Sequence, residues 1–382
     1  MLNLEREIFK LSLTNPFIFR NVVRPVAYRR AGGNPERVHD MALEMLNKYF
    51  DVVKEVASQF DFPDLHVDVC GRDVMPFAPA EGLDKNGIAL NSLSNLFGFL
   101  PWGTVVYDER KGNPEPRVYM DDKNQTGYNA QGFPSRGLDF AEERARVYWE
   151  KGGRKPLISS VCGLPEKEGI PNLDNSYEEL SAIVTRLNPY SEGFVWNPFS
   201  PNTDALKLLR TKEVFRESAE LARRIIDKDK LLLVKMGPCN NNYDEIQEWL
   251  SLLGGFLDGG GNGIVAVNTY KVPKEQVPSK NWGYLSAGAS GRVLQNYRQN
   301  AINDIRETFG EKPIVIAEGG IDSAEEAWMA LEDGANLLAG YTPYIFNGFG
   351  LIPKMAKGII KELNKRGYKT LKEFQKDMGL TA

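Results

Sequence analysis

The sequence has only two histidines and three cysteines, which limits the chemistry that its side chains can perform alone. His39 and His66 have no metal-ligand spacing to each other or to a carboxylate cluster. Cys70, Cys162 and Cys239 lie far apart without a Cys-x-x-Cys pair, so the sequence encodes neither a zinc ribbon nor an iron–sulfur cradle. Metal chemistry and histidine-based triads are therefore disfavoured, and the cysteine usage favours a reducing compartment. Demanding chemistry in this chain requires an organic cofactor.

Long apolar runs and extended basic clusters are also missing. No run approaches the roughly 18 apolar residues that a transmembrane helix needs. The formal net charge is −4, and the one cluster of basic residues lies between Arg20 and Arg30, which argues against nucleic acid as the main partner. A hydrophobic content of 42% with 26% charged residues is typical of a globular protein. The 382 residues accommodate an α/β barrel of roughly 250 residues with an extension.

Residues 1–62 are predicted to form an N-terminal helical extension. Large apolar residues are interleaved with arginines and lysines up to residue 30. Glu5 and Glu7 stand where a signal peptide has its basic region, and no A-x-A-like cleavage site follows, so a signal peptide is not indicated. Such a segment either packs on the rest of the protein, or lies on a membrane surface or at the mouth of an apolar ligand channel.

A helical pattern begins at Pro35, and Asn34 is placed to cap it. One face of this pattern is apolar and carries Val38, Met41, Ala42, Met45, Leu46, Val53 and Val56. An apolar stripe of this kind has to be covered. We expect this face to pack against a barrel.

Residues 63–382 repeat one rhythm eight times: a short apolar run, a polar or glycine-rich loop, and a helix-like segment. This alternation predicts an α/β fold, a (β/α)8 TIM barrel with a small N-terminal helical extension. The candidate strands are residues 75–80, 100–106, 156–161, 193–197, 231–236, 263–268, 313–317 and 335–341.

Polar or glycine residues follow nearly every candidate strand. They are Glu81-Gly82-Leu83-Asp84-Lys85, Gly103-Thr104, Ser159-Ser160, the 197–203 loop, Lys235, Asn268-Thr269, Gly319-Gly320 and Tyr341-Thr342. Each group alone is more typical of a turn, a tight bend or a solvated charge. Because the loops after the strands of such a barrel converge on one face, together they predict one site.

The 197–203 loop is the candidate catalytic segment. Ser200 lies between Asn197 and Asn202, and Pro201 biases it to an extended conformation. An isolated Ser-Pro-Asn-Thr is usually a turn that satisfies its own backbone. At the mouth of a barrel it places a hydroxyl between two amides, which predicts an active-site loop.

The later loops predict a phosphate site. Ser290-Gly291-Arg292 precedes a helical segment, and Gly319-Gly320 and Tyr341-Thr342 follow the last two strands. Barrels often bind phosphate at these positions with backbone N–H groups. Lys85 and Lys235, in otherwise neutral surroundings, favour an electron-rich or anionic ring system.

Taken together, these residues resemble the dihydroorotate dehydrogenases, an FMN-containing barrel family, from about residue 34 to residue 360. The resemblance rests on Gly82-Leu83-Asp84-Lys85-Asn86-Gly87, Gly103-Thr104-Val105, Gly112-Asn113-Pro114-Glu115-Pro116-Arg117, Asn124-Gln125-Thr126-Gly127-Tyr128-Asn129, Ser200-Pro201-Asn202-Thr203, Asn268-Thr269, Ser290-Gly291-Arg292, Gly319-Gly320-Ile321 and Tyr341-Thr342. Ser200 and the helix that starts after Asn34 are similar to the membrane-associated class, whose base is serine and which has an N-terminal helical extension.

The resemblance implies the oxidation of dihydroorotate to orotate in pyrimidine biosynthesis, with Ser200 as base at C5 and hydride transfer from C6 to FMN. It implies a quinone as acceptor and a peripheral position on the cytoplasmic face of a membrane, or a cytoplasmic one if the extension binds no lipid. The implied substrate residues are Lys85, Asn124, Gly127, Tyr128, Asn197, Asn202, Asn268 and Thr269. The implied FMN residues are Ala80, Gly82, Lys85, Thr104, Asn124, Ser160, Asn197, Lys235, Asn268, Ser290, Gly291, Gly319, Gly320, Tyr341 and Thr342.

The chain also departs from the family pattern. Glu81 and Glu318 stand where small apolar residues are usual, and two acids there weaken cofactor binding unless they are paired or point away. Pro198-Phe199 is bulkier than the usual pair, Ser160 replaces an asparagine, Tyr128 replaces a phenylalanine, and Met120 stands for an arginine associated with the quinone channel. Three alternatives therefore stay open. They are a diverged flavoprotein with another pyrimidine or a non-quinone acceptor, a flavin-free phosphate-binding barrel enzyme, and a catalytically silent binding protein.

Overall fold

A computed structural model describes residues 2–239 and 242–380. The extension contains α1 (Leu2–Thr14), α2 (Pro16–Ile18), a π-helical turn (Phe19–Val23), α3 (Arg24–Arg30), α4 (Pro35–Lys48) and α5 (Phe50–Val56). The predicted cap of α4 is confirmed, because the side chain of Asn34 accepts hydrogen bonds from the N–H groups of Glu36 and Arg37. Leu43 and Leu46 form the buried side of α4.

One detail of the predicted apolar face is wrong. Ala42 is exposed, and Leu43 takes its place among the buried residues. The buried face of α4 is therefore offset from the predicted face by one residue, which corresponds to about 100° around the helix axis. Leu13, Leu46 and Val53 belong to the same core cluster as the barrel interior, so the extension packs on the barrel.

The strands described are β1 (Val67–Val69), β2 (Arg72–Val74), β3 (Phe77–Pro79), β4 (Leu100–Val105), β5 (Val118–Asp121), β6 (Thr126–Asn129), β7 (Leu157–Val161), β8 (Glu166–Lys167), β9 (Ile170–Pro171), β10 (Gly193–Trp196), β11 (Leu231–Met236), β12 (Gly263–Ala266), β13 (Tyr270–Pro273), β14 (Ser286–Gly291), β15 (Ile314–Glu318) and β16 (Leu337–Gly340). Eight of them form a parallel sheet in the order β3-β16-β15-β12-β11-β10-β7-β4. Each coincides with one of the eight predicted strands, so the predicted barrel is confirmed.

The barrel closes between β3 and β4. The N–H of Gly98, just before β4, donates to the carbonyl of Phe77 in β3 over 2.9 Å. The strands are nearly continuous apolar segments, such as Phe194 and Val195 in β10, because helices cover the outside while side chains fill the inside.

The helices of the barrel region are α6 (Leu90–Leu93), α7 (Gly137–Glu150), α8 (Leu173–Leu187), α9 (Lys212–Arg223), α10 (Tyr243–Asp258), α11 (Gln295–Phe309), α12 (Ala324–Glu332), α13 (Thr342–Asn347), α14 (Leu351–Lys365) and α15 (Leu371–Asp377). Side-chain caps fix several starts, including those from Asn172 to α8, Thr211 to α9 and Ser323 to α12. Within the described residues, the helices lack a stretch with the length and apolar character needed to cross a bilayer.

A second sheet lies in the loops that follow β4 and β12. It is antiparallel, in the order β13-β14-β6-β5, and β14 pairs with β6 so that Ser290 faces Gly127. It has its own small apolar core, which includes Val272 and Trp282. Because both loops leave the carboxyl ends of barrel strands, this sheet lies beside the face on which the site was predicted.

Candidate active site

A cavity opens at the carboxyl ends of the barrel strands, beside the antiparallel sheet. The predicted site residues that line it are Ala80, Gly82, Lys85, Thr104, Gly127, Tyr128, Asn197, Ser200, Asn202, Lys235, Asn268, Thr269, Ser290 and Tyr341. These residues lie near or after the carboxyl ends of six barrel strands and on the antiparallel sheet. The structure therefore brings together side chains that are up to about 260 positions apart in the sequence.

Ser200 lies on the cavity wall in the loop after β10. Its Oγ accepts a hydrogen bond of 3.4 Å from the backbone N–H of Asn202. Thr203 is buried, and its Oγ1 has no hydrogen-bond partner within the described residues. A buried hydroxyl without a partner is costly, so this position is suited to an ordered water or a ligand group.

A chain of polar side chains runs across the floor of the cavity. Asn197 Nδ2 donates to Thr104 Oγ1 over 2.8 Å, and the Thr104 and Ser160 hydroxyls are 3.0 Å apart. Asn268 Nδ2 donates to Asn197 Oδ1 over 3.1 Å, and Asn268 Oδ1 accepts from the N–H of Thr269 over 2.7 Å. These bonds fix the orientation of both amides. Their remaining donors and acceptors suit a neutral polar ring.

Ser160 thus acts behind the cavity rather than on its wall, because it is buried beneath Thr104. Asn124 also lies off the wall. It is in the turn between β5 and β6, where its Nδ2 donates to Asp121 Oδ2 over 2.6 Å. In its place the sheet presents Asn129, whose Oδ1 accepts from Asn202 Nδ2 over 2.9 Å.

Asn129 was not among the predicted site residues, although it ends a motif that carried the resemblance. Its Nδ2 donates to the carbonyl of Gly288 over 3.1 Å, which ties β6 to β14 and positions the amide of Asn202. Gln131, two residues later, was also missed and accepts a hydrogen bond from Lys85 Nζ. Side chains alternate between the two faces of a strand, so recognition of β6 as a strand would have predicted that Asn129 and Gln131 share one face.

Glu81, Lys235 and Glu318 form a buried ionic cluster on the cavity wall. Lys235 Nζ contacts Glu81 Oε2, and it lies 2.7 Å from Glu318 Oε2. Burial raises the pKa of Glu318, Lys235 opposes this rise and Glu81 adds to it, and the resulting pKa is about 7. Burial lowers the pKa of Lys235, but the two carboxylates outweigh it and hold this pKa well above its usual value. The lysine is therefore a cation.

The loop after β15 forms a cradle of backbone donors next to the cavity. The buried Arg298 donates to the carbonyl of Gly319 over 2.7 Å, and Gln295 Nε2 donates to the carbonyl of Gly320 over 2.9 Å. In a trans peptide the N–H points away from the preceding carbonyl, so the N–H groups of Gly320 and Ile321 point away from these side chains. Within the described residues neither N–H group makes a hydrogen bond. Such paired donors are an anion-binding arrangement.

Gly291 completes this cradle on the side of β14. Its φ is +94°, and a Cβ there would lie 2.3 Å from the carbonyl oxygen of Gln125 and 2.8 Å from Thr342 Cγ2. Only glycine fits such a close approach. The Ser290 and Thr342 hydroxyls are 2.7 Å apart, and Ser290 lines the cavity.

The comparison with protein families decides what this barrel is. A family model described as dihydroorotate dehydrogenase matches residues 64–366. This chain belongs to the dihydroorotate dehydrogenase family. Membership of this family, with its quinone-type class, was the prediction from the sequence, and it is confirmed.

Relatives named "Dihydroorotate dehydrogenase (quinone)" match most of the chain. The protein from Sulfurovum sp. (strain NBC37-1) is 28% identical over 366 residues, covering 94% of this chain and 98% of its own. The protein from Prochlorococcus marinus (strain MIT 9313) is 31% identical over 311 residues, covering 79% and 77% respectively. Among solved structures, the Eimeria tenella enzyme in complex with ferulenol matches with a TM-score of 0.75 at 23% identity, over 89% of this chain and 94% of its own. This likeness supports the fold.

The two acidic departures from the dihydroorotate dehydrogenase pattern are explained by their pairing. Glu81 and Glu318 do not stand unpaired in the cavity, because both bind Lys235. With Lys85, the cavity lining within the described residues carries two lysines and two glutamates, so its formal charge is +2 − 2 = 0 when all four are ionised. The two acids are therefore paired, which is one of the two conditions under which the sequence predicts no weakening of cofactor binding.

Proposed function

We propose that this protein oxidises dihydroorotate to orotate through bound FMN, in pyrimidine biosynthesis, and that a quinone accepts the electrons. The observation that carries the proposal is the arrangement of the cavity. Ser200 and the amides of Asn197, Asn202 and Asn268 line one cavity, and a cradle of free backbone N–H groups lies at its edge. Membership of the dihydroorotate dehydrogenase family supports it.

The donor set fits FMN. The N–H groups of Gly320 and Ile321 suit the phosphate, and the paired hydroxyls of Ser290 and Thr342 lie beside Gly291 of this cradle. Lys235 and the backbone around Ala80 and Gly82 would contact the flavin ring, with Thr104, Asn197 and Asn268 at its edge and Ser160 behind Thr104. When bound, FMN supplies the hydride acceptor that the side chains lack.

The protein's part of the reaction is to bind the pyrimidine and to remove a proton. Ser200 Oγ is the proposed acceptor of the C5 proton of dihydroorotate. A serine hydroxyl is a weak base, so the proton has to pass onward, and the unpartnered Oγ1 of the neighbouring Thr203 provides a relay position for water. The N–H of Asn202 positions Ser200 Oγ from the other side.

The substrate residues divide between ring and carboxylate. The amides of Asn197, Asn202 and Asn268 bind the neutral ring, and Gly127, Tyr128 and Thr269 complete the wall. Lys85 offers a cation for the carboxylate. Burial lowers the pKa of Lys85 to about 8, so most of this side chain is still protonated at neutral pH. The role of Asn124 remains a prediction that requires the β5–β6 turn to rearrange.

The purified protein should be yellow, and dihydroorotate should bleach the flavin absorbance in the absence of air. The measurement is an anaerobic absorbance spectrum before and after addition of dihydroorotate, with orotate as the control that binds without donating electrons. A protein that stays colourless after incubation with FMN would contradict the proposal. A yellow protein that dihydroorotate does not bleach would point to another substrate.

The extension provides a surface that fits a membrane, where a quinone dissolves. Phe17 and Leu4 are 72% and 66% exposed, and Val22 and Val26 are also exposed. Arg20, Arg29 and Arg30 are exposed on the same helical segment. Apolar anchors flanked by arginines are the pattern of a helix that lies in an anionic lipid interface.

Vesicles containing anionic phospholipid should sediment the protein, and Phe17→Ser with Val22→Ser should weaken this binding about 10-fold or more, because two apolar anchors are lost. Leu285→Ser is a matched control, since Leu285 is 91% exposed but lies outside the extension. Equal sedimentation of the double variant and the control would argue against membrane binding through these helices.

A second candidate function is the same oxidation of dihydroorotate with an electron acceptor other than a quinone. A second cavity adjoins the first, since Lys85 and Tyr341 line both. Its lining includes Glu36, Asp40, Glu115 and Arg117, which is more polar than a lipid-soluble quinone requires. Steady-state turnover with quinone, fumarate or NAD as the acceptor distinguishes the two candidates.

A further inference from the structure

Two carboxylates share one lysine in the wall of the cofactor cavity. Glu81 follows β3, Lys235 lies in β11 and Glu318 ends β15, so three separate strands bring them together. Glu81 and Lys235 are 2% and 5% exposed, and Glu318 is largely buried. Glu81 Oε1 has no hydrogen-bond partner within the described residues.

The charges of this cluster do not balance when all three groups are ionised. One lysine and two glutamates give +1 − 2 = −1 in a buried site. Burying a net charge is costly, and the cost falls when one carboxylate binds a proton. Glu318 is the carboxylate that can take up this proton, because its side chain is 13% exposed against 3% for Glu81, and Glu81 makes the closer contact with Lys235. Burial, with a contribution from Glu81, also raises the pKa of Glu318 to about 7.

Among the residues that the structure describes, the other elements packed around Glu318 contribute no competing charge at short range. The neighbouring strands β12 and β16 present Ala266 and Ala339 to β15. Arg298 of α11 lies behind the strand end, where it binds the Gly319 carbonyl and Glu326. Lys85 lines the same cavity but is bound to Gln131. Lys235 and Glu81 are therefore the charges that act on Glu318.

We propose that Glu318 is a positioning residue whose proton occupancy sets the charge that the Lys235 cluster presents to the bound flavin. The inference rests on the proposed use of FMN. Hydride transfer from dihydroorotate brings two electrons and one proton to the flavin ring and makes it one unit more negative, while the C5 proton leaves through Ser200. An ionised Glu318 then takes up one proton from water and restores the local charge.

Reduction and proton binding at Glu318 must favour each other, because linkage between two binding events is reciprocal. A more negative ring raises the pKa of Glu318, and protonation of Glu318 favours reduction. The extra proton uptake occurs at pH values between the pKa of Glu318 with oxidised flavin and its pKa with reduced flavin. From the pKa of about 7, this window begins near neutral pH and extends upward.

The experiment measures the flavin midpoint potential by equilibration with reference dyes from about pH 6 to pH 9. The slope of the midpoint potential against pH reports the number of protons taken up per two electrons. In Glu318→Gln the remaining pair of Glu81 and Lys235 has no net charge. On reduction above pH 7, this variant should therefore take up fewer protons than the wild type, with a largest difference of about one proton. It should also be easier to reduce than the wild type at high pH. Glu307→Gln, an exposed change on α11, is the control and should match the wild type.

Glu81→Gln is the second test. It removes the charge that helps to raise the pKa of Glu318 and leaves a balanced pair with Lys235, so the extra proton uptake should move below pH 7. Identical slopes for the wild type and both variants would overturn the proposal. If a variant binds no FMN, infrared titration of the protonated carboxyl band in the apoprotein gives the same comparison. If the wild type itself binds no FMN, the proposed function fails instead.

Discussion

Ser200→Ala should bind FMN normally and lose about 10²–10⁴-fold in the rate of flavin reduction by dihydroorotate, the usual contribution of a positioned general base. The serine lies in the loop after β10, and the cradle for the phosphate lies after β15, so the change removes one hydroxyl and leaves the cofactor contacts in place. Stopped-flow absorbance of the FMN-loaded variant under anaerobic conditions measures this rate directly.

The matched control is Ser279→Ala, which removes a hydroxyl outside the cavity and should leave the reduction rate unchanged. A useful second observation is the dissociation constant for orotate, which depends on the amides and should change little in Ser200→Ala. Unchanged reduction by the variant would exclude Ser200 as the base. A large loss of orotate affinity would instead assign it a binding role.

The barrel could be predicted because its strands are short, continuous apolar segments separated by helices. Phe194 and Val195 in β10 show the pattern, since both faces of a barrel strand are buried. The antiparallel sheet could not be found in this way. Its strand β14 has the sequence Ser-Ala-Gly-Ala-Ser-Gly, with low strand propensity, and it pairs with β6 about 160 residues away. Long-range pairing of this kind leaves little local signal.

The candidate site was predictable where a residue lies at the carboxyl end of a barrel strand, as Asn197 does just after β10 and Lys235 does near the end of β11. Residues on the antiparallel sheet, such as Asn129, escaped prediction together with the sheet. The pairing of Glu81 and Glu318 with Lys235 was accessible in principle, since all three stand at strand ends that meet on one face. The sequence does not show which way these side chains point, and it is their direction that brings both carboxylates to the Lys235 ammonium group.

Lys235→Met should destabilise the protein by about 3–5 kcal/mol at pH 8.5, because it leaves two carboxylates buried without their cation. The loss should shrink toward pH 5. In the wild type the pKa of Glu318 is raised from 4.5 to about 7, so its contribution to stability is fully present below the lower value and is lost as pH rises through the higher. Lys235 opposes this rise, so the methionine variant should raise the pKa of Glu318 further and widen the pH range of the loss.

The urea unfolding midpoint of Lys235→Met is measured at pH 5.5 and pH 8.5 and compared with that of a control variant that also lacks both carboxylates. Lys235→Met combined with Glu81→Gln and Glu318→Gln removes all three charges and should lose the pH dependence. A loss of stability in Lys235→Met that is equal at both pH values would mean that the lysine contributes packing rather than charge. The cluster would then be unable to exchange the proton that we assign to Glu318.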